Sequence, residues 1–588
     1  MTTAACLLWP RAPLLSKEVD FAFVLPTKYG KCRQMNPLIA IYAWPVISVV
    51  LFNKYRLPVA ALVCMLGGFL FLPETIAIDL PVLPSLDKYS IPVLATVVLG
   101  AMLAQNSPKT DVLKGWIPKS LLLRFLGIAF VFGAFMTVVT NRDPLVFPLI
   151  TLPGLRFYDA FSAILSNIIF LLPMIAARKF LAKPEHHVLI LIALAIAGFG
   201  YSFLALYEVR MSPQLNSIVY GFFPHSWVQH IRGGGYRPLV FLSHGLLLSL
   251  FLSMSFLAAA ALYRIFSKQK RTLAMLALPW LLMAVVLSKT LGALLILAVT
   301  APFILFAGAR IQLLIAAVIA VTVLFYPILR GTAIVPADRI SSIALSINAE
   351  RASSLQTRFD NEDALLSKAK ERPLFGWGGW GRSRVKDENG TDISIVDGYW
   401  VLSIGLGGWV RYLTVFGMLT IPILLLTRHH RRYQIGRETV AIGVILAANL
   451  IDLIPNAGIT PVTWLLAGAI WGRLELGRLD PAPQVGHADP QTPKAVRRVR
   501  GQRQRSYIYT DEPAVSEKRP YARPHRQRSY IYQDQKDVSA ADKPQARPKR
   551  QRSYIYEDKA TEQDKPVVEQ EFRVSPYTRQ RTVRLRGK

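Results

Sequence analysis

Arginines recur in two polar stretches of an otherwise apolar chain: Arg210, Arg232 and Arg237 within residues 208–237, and Arg351 and Arg358 within residues 330–397. A guanidinium offers a planar fork of donors that matches the paired oxygens of a phosphate. Such forks suit either an anionic ligand, of which a pyrophosphate is one, or a flexible surface loop whose arginines reach lipid headgroups. Arg351 and Arg358 are seven positions apart and share a face if their segment is helical. His225 and His230 accompany the first group. They suit either the same ligand or a membrane interface, where an amphipathic ring sits well. Gly376-Trp-Gly-Gly-Trp-Gly381 is too rich in glycine for regular structure. Trp377 and Trp380 within it suit either a membrane interface or stacking on the C–H faces of sugar rings. Asp397 is placed to cap the apolar run that follows it. Arg411 stands about thirteen residues into that run, where a charge near mid-bilayer is costly and marks a functional site by default. His244 and Lys289, near the ends of their own runs, are expected to face the same cavity as Arg411.

The elements that must position these residues are apolar runs of membrane-spanning length. They fall near 37–53, 57–73, 90–105, 119–139, 159–177, 188–207, 238–263, 272–288, 290–308, 311–329, 398–427, 437–454 and 458–473. The fold class expected is all-α: a polytopic membrane protein with about 12–13 transmembrane helices, one large periplasmic loop and a disordered cytoplasmic tail. Residues 1–35 form an N-terminal segment, 36–329 the first block of transmembrane helices, 330–397 the large loop, 398–475 the last helices and 476–588 the tail. Inside the loop, Asp360–Arg372 reads as a polar helix ended by Pro373.

Of the 588 residues 52% are hydrophobic, and the net charge is +31. A charge that large could suggest nucleic acid, but basic cytoplasmic connectors between membrane helices explain it and no nucleic-acid partner is expected. Lys109 and Lys114, Arg178, Lys179 and Lys183, Arg264, Lys268, Lys270 and Arg271, and Arg428, Arg431, Arg432 and Arg437 all fall in connectors on one side if every run crosses. That side is cytoplasmic, which sends residues 74–89, 140–158, 208–237 and 330–397 outward. The same count places the basic N-terminus outside, against the rule. Three cysteines, Cys6, Cys32 and Cys64, with no Cys-x-x-Cys give neither a disulfide framework nor a zinc site.

From about residue 476 the composition turns to Pro, Gln, Arg and acidic residues, which cannot bury enough surface to offset ordering. Arg503-Gln-Arg-Ser-Tyr-Ile-Tyr509 recurs as Arg526–Tyr532 and Arg550–Tyr556. Residues 481–588 carry 25 basic and 13 acidic residues. Such a tail either lies along an anionic inner leaflet or presents three identical peptides to a cytoplasmic partner or chain-length regulator.

The chain has no phosphate-binding Gly-rich loop, His-Glu-x-x-His or Gly-x-Ser-x-Gly motif. The large loop resembles that of the O-antigen ligase and polymerase family of bacterial envelope glycosyltransferases. The resemblance rests on Arg358, Ala364-Leu365 and Pro373-Leu-Phe-Gly376-Trp-Gly378, which match the family pattern in order and spacing, with Glu362 where an aromatic often follows the arginine. Arg232, Gly235 and Pro238 match an earlier outward loop of the family. The match is specific over about 55 residues, general over the membrane part and absent from the tail.

The family's ligases carry a histidine at the start of the helix after the loop. Here Asp397 and Gly398 hold that place, with Gly408 at the family's distance. The resemblance therefore implies a polymerase joining undecaprenyl-diphosphate-linked oligosaccharide repeat units into an exopolysaccharide or O-antigen at the periplasmic face of the inner membrane. It implies metal-independent transfer without a cofactor. Arg358 and Arg232 would hold the leaving diphosphate, Asp397 or Glu362 would act as base, and Arg237, Arg351, Arg411, Trp377, Trp380, His225 and His230 would bind substrate. An O-antigen ligase, or a polytopic transporter or flippase, is the alternative. A transporter usually shows two similar halves, which this sequence does not.

Overall fold

The computed structural model describes residues 35–479 apart from 81–82, 104–111, 233, 333–340, 343–344 and 347–348; side chains at 349–351 and 354 lie outside that description. The tail, with its RQRSYIY repeats, lies outside the described residues as well.

The described chain is a bundle of helices: α1 (Pro37–Lys54), α2 (Leu57–Phe71), α3 (Ile91–Leu103), α4 (Leu121–Val139), α5 (Phe157–Phe180), α6 (Pro184–Met211), α7 (Leu215–Tyr220), α8 (Gly245–Ile265), α9 (Lys268–Leu287), α10 (Leu291–Phe306), α11 (Ala309–Gly331), α12 (Ala349–Lys370), α13 (Tyr399–His429), α14 (Arg437–Asp452) and α15 (Pro461–Leu479). Each of the thirteen apolar runs is a helix. Their starts follow local chemistry: Pro lies at the head of α1, α2 and α6, the Asn36 carboxamide accepts from Leu38 N at 3.0 Å, and the Ser120 hydroxyl accepts from Leu123 N at 3.4 Å.

Among the described residues, eight helices (α1, α4, α5, α6, α8, α9, α11 and α13) are long and apolar enough to cross a membrane, fewer than the 12–13 expected. For three of the remaining five the difference is one of length, whereas α14 carries Arg437, Glu438 and Asp452 and α15, 19 residues long, carries Arg473, Glu475 and Arg478. Helices α2, α3 and α10 are apolar but only 15, 13 and 16 residues long, and at 1.5 Å per residue they fall short of a ~30 Å hydrocarbon core. Large apolar side chains of α4, α9, α10 and α11 face outward, among them Phe125, Ile128, Leu276, Leu295 and Val318. An apolar belt of this kind needs lipid around it. By contrast α8 and α14 are enclosed by the others.

The connectors sort into two ends. At one, the α3–α4 connector hydrogen-bonds the end of α5 (Leu113 N to Lys179 O, 2.9 Å). The Arg178 fork grips Glu475 of α15 at 2.6 and 2.9 Å. Arg473 donates to Tyr433 O at 2.8 Å. Arg264 donates to Ile304 O at 3.0 Å. The four basic connectors singled out in the sequence therefore share this end. The opposite end carries α12, α7 and three two-residue antiparallel ribbons: β1 (Ala77–Ile78) with β2 (Leu86–Asp87), β3 (Leu145–Val146) with β4 (Thr151–Leu152), and β5 (Ile231–Arg232) with β6 (Gly235–Tyr236). Met35 N donates to Val219 O at 3.0 Å, so α1 starts at this end too.

Candidate functional site

At the end that carries α12, the glycine-rich loop is threaded into a broken helix. Helix α13 loses helical geometry at Gly407 and Gly408, and Gly408 has φ 63° and ψ −164°, a region essentially restricted to glycine. The backbone groups freed there are taken up by the loop. Trp409 N donates to Pro373 O at 2.8 Å and Val410 N to Leu374 O at 3.2 Å, while Trp377 N donates to Gly405 O at 2.8 Å and Gly378 N to Leu406 O at 3.0 Å. Gly376, at φ 64°, lies so close that a Cβ there would stand 2.6 Å from the Gly407 and Gly408 nitrogens. Backbone polar groups within an apolar bundle must be paired, and this exchange pairs them. The loop is also tied to α4 and its connector: Asn141 Nδ2 donates to Gly376 O at 2.8 Å, and the fully buried Arg382 donates to Pro153 O and Asp143 O at 3.0 and 2.9 Å.

With the loop fixed, α12 lies across the ends of α11 and α13. Arg330, at the end of α11, reaches Asp363 at 2.8 Å and Glu362 at 3.7 Å, and Trp400 Nε1 donates to Glu362 at 3.3 Å. One turn before Glu362, Arg358 lies 3.6 Å from Asp397 and donates to Pro455 O at 3.5 Å, in the α14–α15 turn. Arg358 is 31% exposed, Asp397 9% and Glu362 5%. A half-open guanidinium thus stands over two buried carboxyls. Burial pushes Glu362 up to about 7. It also raises Asp397 above its ordinary range, against the pull of Arg358. Both acids are therefore better proton acceptors near neutral pH than free carboxylates. A third carboxyl, Asp452, lies buried at the end of α14 and accepts from Asn456 Nδ2 at 2.8 Å. The Arg358 charge acts on it.

The second arginine group arrives from another part of the chain. Glu208 of α6 accepts from Leu215 N, Leu239 N and Val240 N at 2.9, 2.9 and 2.7 Å, which fixes the return of the β5–β6 ribbon. Lys289, between α9 and α10, donates to Arg232 O at 2.9 Å, and Arg237 donates to Lys289 O at 3.5 Å. Burial, followed by the charges of Arg232 and Arg358, lowers Arg237 to about 10, so the three guanidinium groups share one field. His230 donates from Nδ1 to Arg237 O at 3.2 Å, and Arg237 N returns a bond to His230 O at 2.7 Å. The rings of His225, His230 and His244 gather beside this ribbon.

The structure thus brings together Arg358, Asp397 and Glu362, and sets Arg232, Arg237, His225 and His230 beside them. Arg351 is in α12, with its side chain outside the described residues. That helix begins at Ala349, eleven residues before the predicted Asp360, because a polar helix packed on α13 needs no local start signal. Trp377 is 5% exposed, lies under the cations of Lys368 and Arg372 at 3.8 and 4.4 Å, and donates to Lys368 O, which leaves little ring face for a sugar. Trp380 packs on Val138, Leu155 and Ala160 at φ 58°. Arg411 does not share a cavity with His244 and Lys289. It lies beneath the loop, donates to Asn167 at 3.3 Å and covers the Phe130 ring, in a cavity also lined by Thr137 and Gly378. The helix break turns α13 at Gly408, which aims Arg411 at α4 and α5 instead. Asp452 and Arg330 went unnoticed in the sequence, although a carboxylate within the apolar run 437–454 is the signal that marks an intramembrane site.

No family model, curated protein or solved structure matches the chain.

Proposed function

We propose that this protein polymerises undecaprenyl-diphosphate-linked oligosaccharide repeat units into an exopolysaccharide or O-antigen at the periplasmic face of a bacterial inner membrane. The observation that carries the reading is Arg358, half-exposed at one end of an apolar bundle above buried Asp397 and Glu362, with Arg237 and Arg232 in the same field. The resemblance of the loop to the O-antigen ligase and polymerase family agrees with it.

In this mechanism the acceptor hydroxyl attacks the anomeric carbon of the donor sugar. The bond from that carbon to the phosphate oxygen breaks, and the bonding pair leaves with the lipid diphosphate. Asp397 takes the hydroxyl proton, with Glu362 as the second candidate. The guanidinium groups stabilise the charge that grows on the departing diphosphate, and donors already in place do so without reorganisation. Loss of the protein then collapses the glycan ladder to single repeat units that still reach the cell surface. Arrest of export with units held inside the cell would mean a flippase instead.

The orientation follows from the charge of the two ends. The end with the clustered basic connectors faces the cytoplasm, and the end with α12 faces the periplasm. A reporter active only outside the inner membrane is expected to work when fused within residues 385–392 and to fail within 430–436 or after 480. Activity of the fusion after 480 would overturn the orientation and the site assignments that depend on it.

A further inference from the structure

The three histidines beside the arginine ribbon have the arrangement of metal ligands. Ring centroids are 5.4 Å apart for His225 and His230, 4.7 Å for His225 and His244, and 5.2 Å for His230 and His244. Three imidazoles around one tetrahedral ion, with zinc–nitrogen bonds of about 2.0–2.1 Å, have centroids roughly 5.2 Å apart. One candidate donor atom from each histidine can be chosen so that all three lie within 4.8 Å of one another. Closing on an ion needs movements on the order of 1 Å to reach that bond length.

His230 carries the strongest indication. It is fully buried, and its Nε2 has no hydrogen-bond partner. Its Nδ1 donates to the Arg237 carbonyl, which leaves the lone pair on Nε2. A ligating histidine is typically held in this way, with the far nitrogen donating to a backbone carbonyl. His225 and His244 are only partly buried, so an ion has a way in. His244 Nδ1 now accepts from Leu246 N at 3.0 Å as the cap of α8. Ligation through that nitrogen exchanges the cap bond for the metal bond.

We infer that His225, His230 and His244 form a three-nitrogen site for a divalent transition-metal ion, zinc above all, with a fourth position open. Imidazole donors select zinc, copper or nickel over magnesium and calcium. The neighbouring Arg232 and Arg237 disfavour a bare dication and favour one whose fourth ligand is an anion. Because His230 and Arg237 exchange two hydrogen bonds, the ion fastens the ribbon that bears both arginines to the head of α8.

The test uses the full chain purified in detergent, stripped with a chelator and titrated with zinc alone, then with cobalt. One ion per chain is expected, with cobalt showing the intense visible absorption of a four-coordinate site. His230→Gln and His225→Gln should each weaken binding at least about tenfold, while the paired His429→Gln/His430→Gln variant should bind as the parent does. Binding that survives in both single variants, or a parent that binds no tighter than they do, overturns the site. If His230→Gln fails to fold, the partly exposed His225→Gln decides. No glycan substrate enters the measurement, so failure here leaves the polymerase reading standing, and the reverse holds.

Discussion

Arg358→Ala abolishes detectable polymer while the protein stays at its normal level in the membrane, and Arg358→Lys restores little. The expectation combines two losses. A charge-assisted hydrogen bond to the diphosphate contributes about 1.5–3 kcal/mol, so removing one slows the reaction roughly tenfold to a hundredfold. Arg358 is also the charge 3.6 Å from Asp397 that partly offsets the effect of burial on this carboxyl and favours its ionised form. Without it, burial acts unopposed and Asp397 moves further above its ordinary range, so the proposed base is protonated over more of the working pH range. Lysine keeps the charge but not the fork, and one ammonium cannot reproduce a guanidinium that faces both Asp397 and the Pro455 carbonyl. Arg358→Ala with Asp397→Asn should cost less than the sum of the two single changes, because the groups act as a unit. The measurement is chain length and rate of polymer formation in membranes of matched protein content. Polymer formed by Arg358→Ala at the parental rate would reduce the arginine to a headgroup neighbour and remove the main support for the mechanism.

Gly408→Ala expels the loop from the helix break. At φ 63° and ψ −164° an alanine is strained by roughly 1–3 kcal/mol. Its Cβ would also stand 2.3 Å from the Leu374 carbonyl oxygen and 2.5 Å from that of Pro373, both backbone atoms. Relief requires the loop to withdraw, breaking the four backbone bonds that join it to α13, each contributing about 0.5–1.5 kcal/mol net. The expected result is a protein with a sharply lowered melting temperature in detergent and no polymer. Gly127→Ala is the control: its Cβ would meet nothing within 4 Å in α4, and its melting temperature should be no lower than the parent's. If Gly408→Ala melts with the parent, the loop does not occupy the break.

These two predictions differ in how far the sequence reaches them. Arg358 was legible because charge against the topology rule and a matching motif both point to it. Gly408 was legible as a glycine at the family's distance from Asp397, in a cluster able to break the helix before Arg411, but nothing local says which other segment fills the gap it leaves.

The features that can be read along the chain are local ones. The positions of thirteen helices follow from apolar runs whose length and ends are set by the residues within and beside them. The grouping of the basic connectors at one end follows from alternation along the chain. The concentration of arginine in two polar stretches was also visible.

Which groups finally pair, most of them far apart in the chain, is set by packing. Helix α12 starts earlier than its polar pattern shows, because α13 and Arg330 support it. Trp377 is claimed by Lys368 and Arg372, so an aromatic that could stack on a sugar instead packs at home. Arg411 faces Asn167 and Phe130 because the break at Gly408 redirects the helix. His225, His230 and His244 converge because Glu208 folds the ribbon back onto α8. Apart from Trp377, whose cations precede it by only a few residues, each depends on groups that could be satisfied in more than one way locally, and the partner that satisfies them lies tens to hundreds of residues away.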